Sequence, residues 1–152
     1  MTDRMWSSAF LCDVLLISLL LSGAGCVRSQ DSESGQAGAE STRATFIEDL
    51  KKAGHAVEAK GPVVQPFLSV PGQFVSIDGS DVQTFEYDSE KSAKAAVAKI
   101  APDGSTIGET RIGWVEPPHF FRKGKLLVLY VGKNQQVTRA LEPVVGHQIA
   151  GE

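Results

Sequence analysis

Chemistry at neutral pH needs nucleophiles, acid–base groups or metal ligands. In this sequence of 152 residues they are few and scattered. The three histidines are His55, His119 and His147, and the two cysteines are Cys12 and Cys26. A metal needs at least three converging ligands, and the best set here is His119 with Glu116 and Glu86. Asp78, Asp81, Asp88 and Glu90 lie close in sequence, as a hydrolytic pair would, but turn and cap roles account for Asp78 and Asp88. There is no nucleophile elbow, phosphate-binding loop, dinucleotide fingerprint, zinc-protease helix or calcium loop. The residues therefore assign no catalytic group, no metal and no cofactor, and the expectation is a protein that is not an enzyme.

The most unusual stretch is "WVEPPHFFRKGK", Trp114 to Lys125. Pro117 and Pro118 remove two amide donors, which bends this strand or puts it at an edge. Strand alternation sends Phe120 and Phe121 to opposite faces. In a sheet covered on one side, one ring is core and the other is free. Trp114, His119, Phe120, Phe121 and Arg122 then form a candidate recognition surface, since exposed aromatics beside arginine are what interfaces use. The competing reading is a kinked core strand.

The positioning elements follow from period and punctuation. Thr45 and Glu48 have the spacing of a capping box ahead of the apolar stripe Phe46, Ile47, Leu50 and Ala53, with Gly54 as the stop. Residues 55 to 77 are rich in β-branched types but broken by Pro62, Pro66 and Pro71, as in short or edge strands. "VSIDGSDVQTFEY" is a hairpin around Asp78-Gly79, with a turn of up to four residues ending at Asp81. Asp88 or Ser89 caps a second helix carrying Ala93, Ala96, Val97 and Ile100 at helical spacing, and "APDG" stops it. Residues 109 to 116 look like a strand. "KLLVLYVG" reads as a central strand covered on at least one face. Asn134 caps a last helix, ended by Pro143. The expected class is α+β: an antiparallel sheet of four to five strands with helices packed on one face, ferredoxin-like or a permutation of it.

Before this domain comes a leader. Val14 to Leu21 is a run of Val, Leu, Ile and Ser, too short for a membrane span of roughly 20 apolar residues but suited to the core of a secretory signal. It ends at Ser22-Gly23-Ala24-Gly25-Cys26, which resembles the lipobox of bacterial lipoproteins; Gly23 stands where that family usually has Leu. The resemblance implies a signal peptide over 1–25, cleavage before Cys26 and a diacylglyceryl thioether on its sulfur. An ordinary secretory leader and an uncleaved anchor are the other two readings. Residues 26–42 are Ser, Gly, Ala, Gln and acid, the composition of a flexible tether. Residues 43–152 then form one small domain. The arrangement of a short helix, "QPFLSVPG", an aromatic strand and "APDG" is similar, over residues 45 to 132, to a set of small exported bacterial proteins, and implies likeness of fold only.

The whole chain carries a net charge of −3, with no basic domain of the kind nucleic acid requires. The expected role is a membrane-anchored envelope lipoprotein, held through lipid on Cys26, whose domain binds an envelope protein or the wall. A small-ligand binding lipoprotein would instead show a concave apolar pocket with a few convergent polar groups. A secreted envelope enzyme would show a buried titratable pair.

Overall fold

The computed structural model describes residues 41–151. The leader, Cys26 and nearly all of the tether lie outside the described residues. Three helices, α1 (Thr42–Lys52), α2 (Glu90–Val97) and α3 (Gln135–Val145), accompany eight strands: β1 (Val57–Val63), β2 (Gly72–Ile77), β3 (Ser80–Glu86), β4 (Thr106–Ile107), β5 (Thr110–Arg111), β6 (Pro118–Lys123), β7 (Leu126–Val131) and β8 (Ala150–Gly151). The α+β class and the antiparallel sheet are as expected. Six strands form the main sheet in the order β1-β2-β3-β7-β6-β8, and β4 and β5 make a separate ribbon.

β7 is central and apolar along its whole length, and its alternation divides the core. Leu126, Val128 and Tyr130 join Phe46 and Leu50 of α1 and Val137, Leu141 and Val145 of α3. Leu127 and Leu129 point the other way, toward Ala93 of α2, Ile107 of β4, Tyr87 and Ala150. Helices therefore cover both faces of the sheet, not one. This corrects the reading of Phe120 and Phe121: both are fully buried, Phe121 with α1 and α3 and Phe120 on the α2 side. Neither ring is part of a free surface, because the segment 64–71 and the 101–117 region, which have no helical or strand period to betray them, close the second face.

Local signals explain most elements. The β2–β3 hairpin pairs Ile77 with Ser80, so its loop is two residues rather than four. Asp78 (φ 50°) and Gly79 (φ 84°) take the left-handed conformations that this tight turn needs. Gly72 faces Phe85 across the same pair, and a Cβ there would lie 2.5 Å from the ring. Ser89 caps α2 by accepting from the Ser92 N–H, and Asn134 caps α3 by accepting from the Gln136 N–H. α3 passes through Pro143 to Val145. A proline in the last turn forfeits one helical bond, and burial of Val145 favours continuing. Of residues 109 to 116, only Thr110 and Arg111 pair as strand.

α1 begins at Thr42, ahead of the Thr45–Glu48 pair, and is capped from a distance. Glu86, at the end of β3, accepts from the Ser41 hydroxyl and from the Thr42 N–H at 2.9 Å, and Lys125 pairs with the same carboxylate at 3.1 Å. Arg43 donates to Thr84 Oγ1 at 3.0 Å, and Asp49 meets Lys123 at 2.8 Å. A carboxylate at a helix N-terminus also complements the dipole. Burial works to raise the Glu86 pKa, but bonds from Ser41, Lys125 and Thr42 outweigh it and hold the carboxyl below its usual range.

Two outcomes follow. Phe120→Ala and Phe121→Ala should each cost about 3 to 5 kcal/mol in denaturant unfolding, because each opens a cavity in its own core; a silent variant at either position would mean that its face is open. Glu86→Gln should cost about 1 to 3 kcal/mol at neutral pH. A depressed native pKa contributes stability above the unfolded-state value, near 4.3, and loses it as pH falls through the native value. The gap between wild type and Glu86→Gln, followed by urea melts from pH 6 to pH 3, should therefore narrow below about pH 4.

Candidate functional surface

Each residue of the sequence-derived surface has an internal partner. The Trp114 indole Nε1 donates to the Gly104 carbonyl at 2.7 Å, and its ring stands edge-on to Phe67 and Phe120, at 5.7 and 5.9 Å between centroids. His119 stacks on Tyr130, with Nε2 3.0 Å from the Gly132 carbonyl and Nδ1 2.8 Å from Gln148 Oε1. Arg122 donates to the Gly124 carbonyl at 2.8 Å and reaches Glu90 at 3.3 Å. With Phe120 and Phe121 buried, these five residues brace the fold.

Most of the candidate titratable groups are also paired. Glu86 holds α1, while Glu116 bridges to Lys133 at 2.7 Å. His119 pairs in register with Tyr130 at one end of β7, and Glu86 with Leu126 at the other, so the trio His119, Glu116 and Glu86 does not converge. Among the described residues no group of three or more metal-type ligands comes together. The acidic cluster divides the same way. Asp78 accepts from His55 and from the Ala56 N–H, and its carboxyl is held low by the His55 bond first. Asp81 pairs with Lys60, and Glu90 with Lys94 and Arg122. Asp88 and Glu90 lie beyond the far end of β3, about 20 Å from the Asp78 turn at 3.3 Å per residue.

Of the exposed large apolar side chains among the described residues, Val64, Val115 and Ile149, the most exposed lies beside the predicted surface. The segment leading into β6 is fastened at three points: Ile112 N–H to the Ser105 carbonyl at 2.9 Å, Trp114 to Gly104, and Gly132 N–H to the Pro117 carbonyl at 2.9 Å. Between these ties Val115 stands 91% exposed. It borders a shallow cleft of about 430 Å³ whose polar edge is Asp103, Ser105, Glu116 and Lys133. Pro117 and Pro118 stiffen the approach, so the loop is ordered before any partner arrives. Val115 lies in the same unusual stretch as the aromatic rings, but its exposure depends on hydrogen bonds between positions that the sequence does not mark.

A second concavity, of about 290 Å³, lies over α2 and is lined by Phe67, Leu68, Ser69, Tyr87, Ala96 and Lys99 among others. Tyr87 is 3% exposed, and its hydroxyl makes no hydrogen bond of good geometry. Burial pushes the phenol pKa up, an effect that the nearby Ser69 side chain only partly opposes. No sequence signal pointed to it, since an aromatic ahead of a helix cap reads as ordinary core.

Among the described residues no helix is long and apolar enough to cross a membrane. Compared with protein-family models, with curated proteins and with solved structures, the chain finds no match.

Proposed function

We propose that this chain is an exported lipoprotein, anchored through acyl chains on Cys26, whose domain is a non-catalytic module for binding another component of the cell envelope. The anchor rests on the short apolar run that ends in Ala24-Gly25-Cys26 and on the polar stretch behind it. Two or more acyl chains hold a protein stably at a membrane, where one binds reversibly. The tether leaves the domain free in an aqueous compartment outside the cytoplasm.

The binding role rests on Val115. A large apolar side chain 91% exposed on a loop tied at three points has already met the entropic cost of ordering, so a partner gains its burial at little further expense. The cleft beside it offers Glu116 and Lys133 as a polar rim around an apolar contact, the usual anatomy of an interface.

The wild type should fractionate with membranes and take up label from a fatty-acid precursor, and Cys26→Ser should lose the label. Gly23→Leu should speed processing by restoring the usual lipobox residue. In cross-linking from intact membranes, Val115→Asp should reduce partner capture about ten-fold, as loss of a central apolar contact does, while leaving the label and the melting temperature unchanged. A mature chain without label that begins elsewhere than Cys26 would sink the anchor, and undiminished capture by Val115→Asp would sink the interface.

A further inference from the structure

The cleft over α2 carries a separate inference, independent of the anchor and of Val115. Tyr87 is fixed from both sides in sequence: its N–H donates to the Lys125 carbonyl at 2.9 Å, and two residues on Ser89 caps α2. These ties hold the backbone at Tyr87, and its hydroxyl is sealed from solvent without a well-formed bond. A buried donor left unpaired is costly and calls for an explanation. Around it Phe67, Leu68 and Ile107 make an apolar wall. Lys99 also lines the cleft and is exposed. Among the described residues it has no ion pair, although most of the other lysines do. Leu68 and Ser69 belong to the irregular segment 64–71 between β1 and β2, which no strand ladder holds, so this stretch of the wall can yield to admit a ligand to the hydroxyl.

We propose that this cleft binds a small monocarboxylate with an aromatic or branched aliphatic body. The body lies against Phe67, Leu68 and Ile107, the carboxylate pairs with the Lys99 ammonium, and one of its oxygens accepts the Tyr87 hydroxyl proton in a hydrogen bond. A charged acceptor suits a buried phenol whose polar contact with Ser69 lacks good geometry. At about 290 Å³ the space is at the small end of ligand clefts, which selects against nucleotides and lipids. Apolar lining with a few polar groups is the usual composition of such sites.

The test uses the full chain in detergent micelles, ¹⁵N-labelled, titrated with phenylacetate, phenylacetamide and acetate. Phenylacetate should shift the amides of residues 67–69, 87 and 95–99 and saturate with a Kd on the order of 1 mM, as expected for so few atoms. Phenylacetamide lacks the charge and acetate lacks the body, and each should bind about ten-fold more weakly. Lys99→Gln should reduce phenylacetate binding to the phenylacetamide level. Tyr87→Phe should weaken phenylacetate about five-fold without lowering the melting temperature of the free protein, because only a poorly formed Ser69 contact is lost. The proposal is overturned if no saturable shift appears at about ten times that concentration, if either variant binds like wild type, or if Tyr87→Phe melts lower, which would show that Ser69 already satisfies the hydroxyl.

Discussion

The whole domain depends on one strand. β7 is six apolar residues in succession, hydrogen-bonded to β3 on one side and β6 on the other. Such a strand must be covered on both faces, because either face left open would put three apolar side chains in water. At about 1.5 to 3 kcal/mol for each buried side chain, β7 alone contributes roughly 10 kcal/mol. That is comparable with the entire net stability of a domain, about 5 to 15 kcal/mol. The two-sided covering, the burial of both Phe120 and Phe121, and the placement of α2 opposite α1 and α3 are consequences of that single constraint.

Charge serves the same architecture. Glu86 and Lys125 stand at one end of the β3–β7 pair and dock the start of α1. Lys123 takes Asp49 further along the same helix, and Arg122 meets Glu90 at the start of α2. The β6–β7 hairpin thus presents a cation to each layer: Lys123 and Lys125 serve the α1 side, and Arg122 reaches α2. Most carboxylates that sequence alone would enter as candidates for catalysis, Asp88 apart, are consumed in caps, turns and layer contacts. Among the described residues, groups left without such work include Val115 on its tied loop and Lys99 beside the Tyr87 hydroxyl, which is why the functional proposals concern binding.

Much of this was legible from the chain. Asp78-Gly79 announced its hairpin, the Asp88-Ser89 pair and Asn134 their helices, and "KLLVLYVG" the central strand, because each is a local signal with a local cause. Contacts between distant segments were not legible. The cap of α1 comes from Glu86, 45 residues beyond Ser41, so the nearer Thr45–Glu48 spacing misled. Alternation correctly sent Phe120 and Phe121 apart, but the second face is closed largely by irregular chain, and irregular chain has no period to read. The same reason hid Val115 and Tyr87, whose character depends on which bonds their surroundings complete.

The shared-strand account is tested most directly by native-state hydrogen exchange on Leu127→Ala and Val128→Ala, which cut β7 on opposite faces. If β7 joins the two layers into one cooperative unit, each variant should lower the opening free energy of amides on both sides by the same amount. The Val75 and Ile77 amides on the α1–α3 side and those of α2 would fall together. If Leu127→Ala instead weakens α2 and the β4–β5 ribbon while leaving Val75 and Ile77 unchanged, the layers are independent and β7 is not the element on which the fold depends.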